Sequence, residues 1–362
     1  MRILVITACL ALALSAGHLL AADAAKPATT PAAKAPGEAS GYNQPPKNIL
    51  DVLHAPSPPV PDVSPTEDKL LLVSWQEYPS MSRVATPFLR LAGARVEPKN
   101  HSKHDTPGGY GITPCAMMFE LVRIADGAKT PISLPHGACP QGPAWAADGK
   151  HFAFANLAAD SVELWIGDAN TGQVRRVPDV RLNPMFNAEM QWVPDQKSLL
   201  VKLVPDGIGA PPPEPAVPVG PSIQETDGAK GQSSTYENRD TLTGKHDEDL
   251  FDYYAASQLA FVDAATLAIT PAGKAANYDS IDPAPDGKHI LVTSIHKPYS
   301  YVTTYDRFPR DVEVWDASDR AHVTVKTIAS LPLAVSFWRV RVTPVLVMPP
   351  ERVGVRPPML GV

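Results

Sequence analysis

One short phrase recurs along this chain and constrains its fold more than any other feature. Each copy is a turn that contains Asp and Lys, followed at once by a run of aliphatic, β-branched or aromatic residues. The copies are Pro65–Lys69 before Leu70–Val73, Ala147–Lys150 before His151–Phe154, Pro194–Lys197 before Ser198–Val201, and Pro285–Lys288 before His289–Val292. An Asp-Gly pair suits a tight turn, and the residues that follow suit a half-buried strand.

The spacing of these phrases predicts a repeat architecture. Their aspartates, Asp68, Asp148, Asp195 and Asp286, are about 80, 47 and 91 residues apart, close to two, one and two units of the roughly 40–47 residues typical of a propeller blade. We therefore predict an all-β chain, an incomplete β-propeller of about five to six four-stranded blades. The alternative is a generic antiparallel β protein with several similar hairpins.

The ends of the chain differ from its body. Arg2, the apolar run Ile3–Leu14 and the small residues Ala22–Ala24 predict a signal peptide over 1–24. An uncleaved anchor, or lipidation at Cys9, are the alternatives. We expect a disordered Pro/Ala-rich linker at 25–47, blades over 48–337 with a Pro-rich insert at 205–248, and an aberrant Pro-rich tail at 338–362. A proline total of 40 supports such irregular segments.

Composition excludes some functions. The net charge is −6 and no Lys/Arg cluster stands out, so we expect no nucleic-acid partner. No segment after the signal reaches membrane-spanning length, so we expect a periplasmic or secreted protein without a membrane after signal cleavage. In an oxidising compartment Cys115 and Cys139 are a possible disulfide, or else two small buried thiols.

The sequence lacks the common motifs of catalytic, nucleotide-binding and metal-binding sites. It contains no G-x-S-x-G elbow, P-loop, H-E-x-x-H or C-x-x-C, and we expect no metal and no cofactor. His101, His104 and Asp105 have a metal-like spacing, but a solvated loop is the favoured interpretation. A dense acidic group fits a charged face or interface better than a calcium loop. Its members are Asp247, Glu248, Asp249 and Asp252.

Two longer segments are distinctive: Asp249–Leu259, and Ser280–Trp315 with its Ser-Ile-Asp-Pro, Ser-Ile-His-Lys-Pro-Tyr-Ser-Tyr and Arg-Phe-Pro runs. With shorter matches between about Gly41 and Ala334, they resemble the propeller part of the glutamyl endopeptidases of the S9 (prolyl oligopeptidase) serine peptidases. The resemblance implies a propeller that restricts access to a following α/β-hydrolase domain, whose Ser/Asp/His triad cleaves peptides after glutamate.

The resemblance also implies what this chain lacks and what it contacts. No triad residue carries over, so we expect no catalytic residue and no activity in the chain alone. The tail after Ala334 resembles out-of-frame translation, which implies a truncated or frame-shifted parent, although a divergent strand is the alternative.

Partners would be peptide substrate, the missing hydrolase domain, or another copy through open blade edges. The rival function is a free-standing periplasmic binding propeller. Candidate substrate or interface residues are His296, Tyr299, Arg307, Asp252 and Tyr253.

Overall fold

The fold is described from a computed structural model, over residues 45–55, 57–105, 111–186, 189–215 and 240–334. The predicted signal peptide, most of the predicted linker and the predicted tail lie outside these residues. The chain divides into two compact units, Met1–Ala55 and Pro56–Val362. The described part of the first unit holds one helix, α1 (Lys47–Leu53).

The second unit is built mainly of short antiparallel strands. In chain order its elements are β1 (Val60–Val63), β2 (Lys69–Trp75), α2 (Met81–Val84), β3 (Leu89–Leu91), β4 (Ala94–Val96), β5 (Ala116–Arg123), β6 (Lys129–Ile132), β7 (Ala144–Trp145), β8 (His151–Leu157), β9 (Val162–Asp168), β10 (Val174–Arg176), β11 (Met190–Trp192), β12 (Ser198–Leu203), α3 (Lys245–Ala255), β13 (Ser257–Asp263), β14 (Ile269–Pro283), β15 (His289–Ile295), the 3₁₀ helix η1 (Tyr305–Arg307), β16 (Arg310–Asp316) and β17 (Thr324–Leu331).

These strands form four antiparallel units, the blades of a β-propeller. Blade 1 has the strand order β1-β2-β5-β6, and blade 2 has β7-β8-β9-β10. Blades 3 and 4 share one long strand, because the first part of β14 pairs with β13 and its second part pairs with β15. Blade 3 is therefore β11-β12-β13-β14, and blade 4 is β14-β15-β16-β17.

Every recurrent phrase is confirmed as the turn before the second strand of a blade. Glu67, Gly149, Gln196 and Gly287 occupy the same left-handed position, with φ between 56° and 69°. In the first copy the left-handed residue, Glu67, comes before the aspartate Asp68, whereas in the other three copies it comes after the aspartate. The aspartate of the first copy is therefore offset by one residue within the turn.

The described residues contain four blades, one for each phrase, fewer than the five to six predicted. The prediction was wrong in treating the 80- and 91-residue gaps as pairs of blades. Each of these gaps instead contains a long connection that leaves its blade, 76–115 in the first case and 204–256 in the second.

Neighbouring blades stack through their two middle strands. In β8, Phe152 and Phe154 face blade 1, whereas Ala153 and Ala155 face blade 3. Leu200 of β12 and Ile290 of β15 then join blades 3 and 4 in a further cluster. Successive strand residues point to opposite faces, so a blade between two others must be apolar on both. This explains the near-continuous apolar runs after the second and third phrases.

The connections between the second and third strands all emerge at the end of the blades opposite the recurrent turns. Three of them are long, namely 76–115, 204–256 and 296–309. They meet in a separate buried cluster, which includes Leu91 and Val96 of the β3–β4 hairpin, Phe251 and Tyr254 of α3, and Phe308. We call this end of the second unit, defined by these three connections, the loop end.

Candidate functional site

The loop end carries all five predicted substrate or interface residues. Asp252 and Tyr253 lie on α3, and His296, Tyr299 and Arg307 lie in the connection 296–309. Helix α3 begins at Lys245, inside the predicted insert. The Thr243 amide and hydroxyl donate to Asp247 Oδ2 at 2.7 and 2.6 Å, and acidic residues at this end of a helix are favourable to its dipole.

Asp252 is the centre of a hydrogen-bonded network. The Tyr299 hydroxyl donates to Asp252 Oδ1, and Lys297 Nζ lies 2.7 Å from Asp252 Oδ2. The Asn277 side-chain amide donates to Asp252 Oδ1 at 3.1 Å and to the Tyr299 hydroxyl at 2.9 Å. The structure therefore joins α3, the shared strand β14 and the connection 296–309 through one carboxylate.

Electrostatics hold this network in a single protonation state. Burial, and then the bond to the Asp252 carboxylate, raise the pKa of Tyr299 above its usual value. The same carboxylate raises the pKa of Lys297. A neutral phenol and an ammonium group therefore both donate to Asp252. Such an arrangement links α3 to the connection 296–309 through charge-assisted hydrogen bonds.

A second link lies beside the first. The Tyr301 hydroxyl donates to Glu248 Oε1 at 2.7 Å, and this bond is the main cause of the raised pKa of Tyr301. Tyr301 is 44% exposed, so its ring is available at the surface of the loop end. The run Lys297–Tyr301 contains both the lysine that pairs with Asp252 and the tyrosine that bonds to Glu248. The peptide bond Lys297–Pro298 in this run is cis.

The remaining candidates have the following contacts. His296 Nδ1 lies 2.7 Å from the Lys297 carbonyl oxygen, and its Nε2 lies 3.5 Å from Asp311 Oδ1. Tyr253 points elsewhere, because its hydroxyl donates to the Gly209 carbonyl at 2.9 Å. Arg307 ends η1, and its carbonyl accepts from the Ala334 amide at 3.0 Å. The structure thus brings Asp252 and Tyr299 into direct contact.

The favoured interpretation of His101, His104 and Asp105 as a solvated loop was wrong. His104 and Asp105 are 2% and 7% exposed. His104 Nδ1 lies 2.8 Å from Glu97 Oε1, and Asp105 pairs with Arg95. His101 turns away to the Tyr254 ring, with centroids 4.9 Å apart. His104 Nε2 also lies 4.0 Å from Asp105 Oδ1, so these two side chains share one buried polar cluster.

The four members of the acidic group each have a partner within the chain. Asp247 accepts from Thr243, Glu248 from Tyr301, Asp249 pairs with Lys245, and Asp252 holds the network. Within the described ranges, no group of three His, Cys, Asp or Glu side chains is arranged to hold a metal ion.

The two cysteines form a disulfide, the first of the alternatives open from the sequence. Cys115 and Cys139 have Cα atoms 4.6 Å apart. Cys115 precedes β5 of blade 1, and the Cys139 amide donates to Asn156 Oδ1 in β8 of blade 2 at 2.9 Å. The bond therefore ties two neighbouring blades at the loop end.

One buried cation was missed by sequence reasoning. Lys202 in β12 is 1% exposed, and its Nζ lies 3.3 Å from the carbonyl oxygen of Asp279. Burial lowers its pKa to about 8, although the Glu189 and Asp279 carboxylates act in the other direction. A single Lys after Leu199–Val201 resembles an ordinary solvent-facing strand residue, so no local signal distinguishes it.

No helix of the described residues is long and apolar enough to cross a membrane. No family model matches the chain.

Two plant proteins named "Probable glutamyl endopeptidase, chloroplastic" are similar to the chain in sequence. The one from Oryza sativa subsp. japonica is 35% identical over 314 residues, which cover 81% of this chain and 31% of the relative. The one from Arabidopsis thaliana is 34% identical over 314 residues, with 82% and 31% covered. The chain thus spans about a third of the length of these relatives.

Solved structures show weaker similarity. Pyrococcus horikoshii acylaminoacyl peptidase has a TM-score of 0.42 at 11% identity, with 78% of this chain and 33% of that chain covered. The β-propeller domain of the Trilobed protease from Pyrococcus furiosus has 0.38 at 10%, with 76% and 57% covered. TolB from Acinetobacter baumannii has 0.34 at 15%, with 75% and 44% covered.

Proposed function

This chain is a homologue of the glutamyl endopeptidases over about a third of their length, and from that premise we propose that it is the substrate-gating propeller portion of an S9 serine endopeptidase. The observation that carries the proposal is the 35% identity over 314 residues. In the full-length parent, peptide bonds after glutamate would be the substrate, and a catalytic α/β-hydrolase domain would be the partner of this portion.

The geometry of the loop end supports a gating function. The two segments that resemble the endopeptidases, Asp249–Leu259 and Ser280–Trp315, are distant in sequence but meet at the Asp252–Tyr299 and Asp252–Lys297 contacts. The two segments therefore contribute to one surface. That surface combines exposed Tyr301, half-exposed Lys297 and several paired carboxylates, which suits recognition by hydrogen bonds and charge.

The histidines whose bonds are described do not form a catalytic pair with a hydroxyl. The rings of His104, His289 and His322 contact carboxylates, and that of His296 contacts a backbone carbonyl. A serine peptidase needs histidine bonded to its nucleophile. These contacts support a binding and gating role for this portion of the parent.

The gating role is testable by adding this chain to the part of the rice relative that lies outside the 314 matched residues. We expect the chain to bind that part, and the complex to cleave a short fluorogenic glutamyl peptide while sparing a folded protein substrate. Equal cleavage of both substrates with and without the chain would contradict the gating role.

A matched pair of variants locates the contact surface. Lys297→Glu places a second negative charge against Asp252 and should weaken the association by about tenfold or more. Lys150→Glu lies on a recurrent turn at the opposite end of the blades and should leave it unchanged. If Lys150→Glu weakens binding as much as Lys297→Glu, the loop end is not the contact surface.

We also propose that the chain is exported, with a signal peptide at 1–24 and a mature chain that starts near Ala25. The Cys115–Cys139 disulfide supports this, because disulfides persist mainly in oxidising compartments. The intact mass of protein from a bacterial periplasm should correspond to the cleaved chain. An intact Met1 on cytoplasmic material would contradict export.

A further inference from the structure

One segment of the loop end leaves blade 1 and contacts all three of the other described blades. It consists of the β3–β4 hairpin and the residues that follow it, 89–105, and we call it the crossing segment. The hydrogen bonds that show this are Asn100 Nδ2 to the Ala158 carbonyl at 3.4 Å for blade 2, the Gly93 amide to the Asp240 carbonyl at 2.9 Å for blade 3, and the Tyr305 amide to the Ala92 carbonyl at 2.8 Å for blade 4. The crossing segment therefore runs across the loop end.

The crossing segment belongs to no blade. Its strands β3 and β4 pair with each other in a separate two-stranded sheet. Among the described residues, the Gly93 and Tyr305 amides make the two backbone hydrogen bonds between this segment and the connections of other blades. Few backbone bonds therefore attach it, and its departure would break no strand ladder of a blade.

A single carboxylate from another blade holds the hairpin. Asp240, in the connection 204–256, accepts from Arg95 Nε at 2.7 Å and lies 3.7 Å from Arg90 Nε. Its side chain is 10% exposed, so these interactions are shielded from solvent. Arg95 also pairs with Asp105 inside the crossing segment. Asp240 thus connects the hairpin of blade 1 to the long connection of blade 3.

The underside of the crossing segment is polar and incompletely hydrogen-bonded. Five of its residues are buried and polar, namely Glu97, Asn100, Ser102, His104 and Asp105. Eight buried side-chain nitrogen or oxygen atoms lack a hydrogen-bond partner among the described residues, and four of them lie here: Ser102 Oγ, His101 Nδ1, and the Nε and Nη2 atoms of Arg83, which pairs with Glu97. Such atoms are costly to bury, and exposure to water would satisfy them.

Apolar packing opposes that exposure. Leu91 and Val96 are buried in the loop-end cluster together with Phe251 and Phe308. Lifting the crossing segment would expose these side chains, which is unfavourable, and would hydrate its polar underside, which is favourable. The second contribution lowers the net cost of opening, so a closed resting state is compatible with an accessible open state.

We propose that the crossing segment is a lid, which rests closed over the loop end with Asp240 as its latch and lifts as one unit while the blades stay folded. Its consequence for peptide access rests on the proposed gating function. Lifting the lid separates His101 from the Tyr254 ring, 4.9 Å away, and uncovers an aromatic surface for a peptide.

Native-state hydrogen exchange on the full chain tests whether the lid opens as a unit. The Glu97 and His104 amides bond to carbonyls within the crossing segment, so they report on its opening. We expect them to exchange at one common rate, about a hundredfold or more above the amides of β8 and β12. Rates as slow as those of β12 overturn the lid, and so do widely different rates within the segment, which would mean local fraying.

A matched pair of variants tests the latch. Asp240→Asn removes the charge that holds the hairpin and should accelerate exchange of the crossing segment by about tenfold, with β8 and β12 unchanged. Asp195→Asn is the control, because it weakens a comparable pair with Arg320, 2.6 Å apart, at the opposite end of the blades. The latch is overturned if Asp240→Asn has no effect or if both variants accelerate the segment equally.

A steric pair keeps the test open if Asp240→Asn fails to fold. In Gly93→Ala the added Cβ would meet Thr304 Cγ2 at 2.7 Å, which should push the hairpin from blade 4 and accelerate exchange of the crossing segment. Gly127→Ala introduces a Cβ at a similar positive φ with no atom within 4 Å, and should leave that exchange unchanged. Equal exchange in Gly93→Ala and the original chain contradicts the lid.

These measurements use the chain without a partner, so they separate the lid from the gating function. An absence of opening overturns the lid and leaves the gating role standing. Opening as described, together with equal cleavage of short and folded substrates with and without the chain, supports the lid and contradicts the gating role.

Discussion

At the scale of single residues, the recurrent turns show how one backbone conformation selects side chains. In three copies the Asp carboxylate accepts from the amide two residues later, at 3.0, 2.8 and 2.8 Å for Asp148, Asp195 and Asp286. The next residue adopts positive φ, which suits Gly149 and Gly287. Gln196 adopts the same φ with its side chain held by the Pro194 carbonyl at 3.1 Å.

Gly287→Ala tests this requirement directly. Gly287 has φ +69°, and an added Cβ would meet no atom within 4 Å, so only backbone strain opposes the change. We expect a loss of about 1 kcal/mol of unfolding free energy in urea titration. Gly142→Ala is the control, because it also meets nothing within 4 Å and has no positive φ. A similar loss in both variants would refute the role of the left-handed turn.

His101 should make stability depend on acid pH. Burial, and then the charge of Arg181, lower its pKa from 6.5 to about 4. The unfolded chain therefore takes up this proton first, so the stability contribution is complete above pH 6.5 and is lost as the pH falls toward 4. His101→Asn removes the titrating group and keeps a side chain that tolerates the φ of +59°.

Urea unfolding at pH 7 and pH 4.5 measures the effect. The original chain should lose roughly 1–2 kcal/mol more than His101→Asn between the two pH values, allowing for the partial exposure of the ring. Carboxylates elsewhere contribute equally to both proteins. An equal loss in the two proteins would show that His101 is not desolvated in the folded state.

At the scale of elements, the long connections decide where the chemistry lies. The four second-to-third-strand connections emerge at one end, and three of them pack into a common cluster around Phe251 and Phe308. The fourth, 158–161, is a short turn that returns directly to β9. The blade scaffold thus supports long loops, and loops on a rigid scaffold are a usual location of binding residues.

The disulfide should stabilise the junction of blades 1 and 2. It closes a loop with a sequence separation of 24 residues, which in the chain-entropy model is worth about 3 kcal/mol. The double variant Cys115→Ala/Cys139→Ala should lose about this amount in urea unfolding. Addition of a reductant should lower the stability of the original chain but not that of the double variant. No difference between the two proteins would mean that the buried cluster around Phe119 and Phe154 holds this junction without the disulfide.

At the scale of the whole molecule, four stacked blades and a packed loop end make up the described part of the second unit. Its relatives are about three times longer, and the peptidase activity named for them is proposed to reside with their remaining residues. A catalytic triad requires a nucleophile, a base and an oxyanion hole in fixed geometry. The contacts described above give structural roles to the charged groups of the loop end.

We accordingly expect no peptidase activity from the chain alone. Removing a catalytic triad costs several orders of magnitude in rate, so a fluorogenic glutamyl peptide should show no turnover. A serine-reactive fluorophosphonate should label no residue. Turnover that the reagent abolishes, together with covalent labelling of a serine in this chain, would contradict the expectation.

The sequence by itself determined the strand-forming phrases, their turn geometry, the β class and the resemblance to the endopeptidases. These depend on local pattern: the Asp-Gly-Lys turns at Asp148 and Asp286 favour one backbone conformation wherever they occur. The tertiary structure alone decided the number of blades, the burial of His104 and Lys202, and the meeting of Asp252 with Tyr299. These features depend on which segments leave the blades and where they return. That choice is controlled by the free energy of packing between residues distant in sequence and not by local propensity.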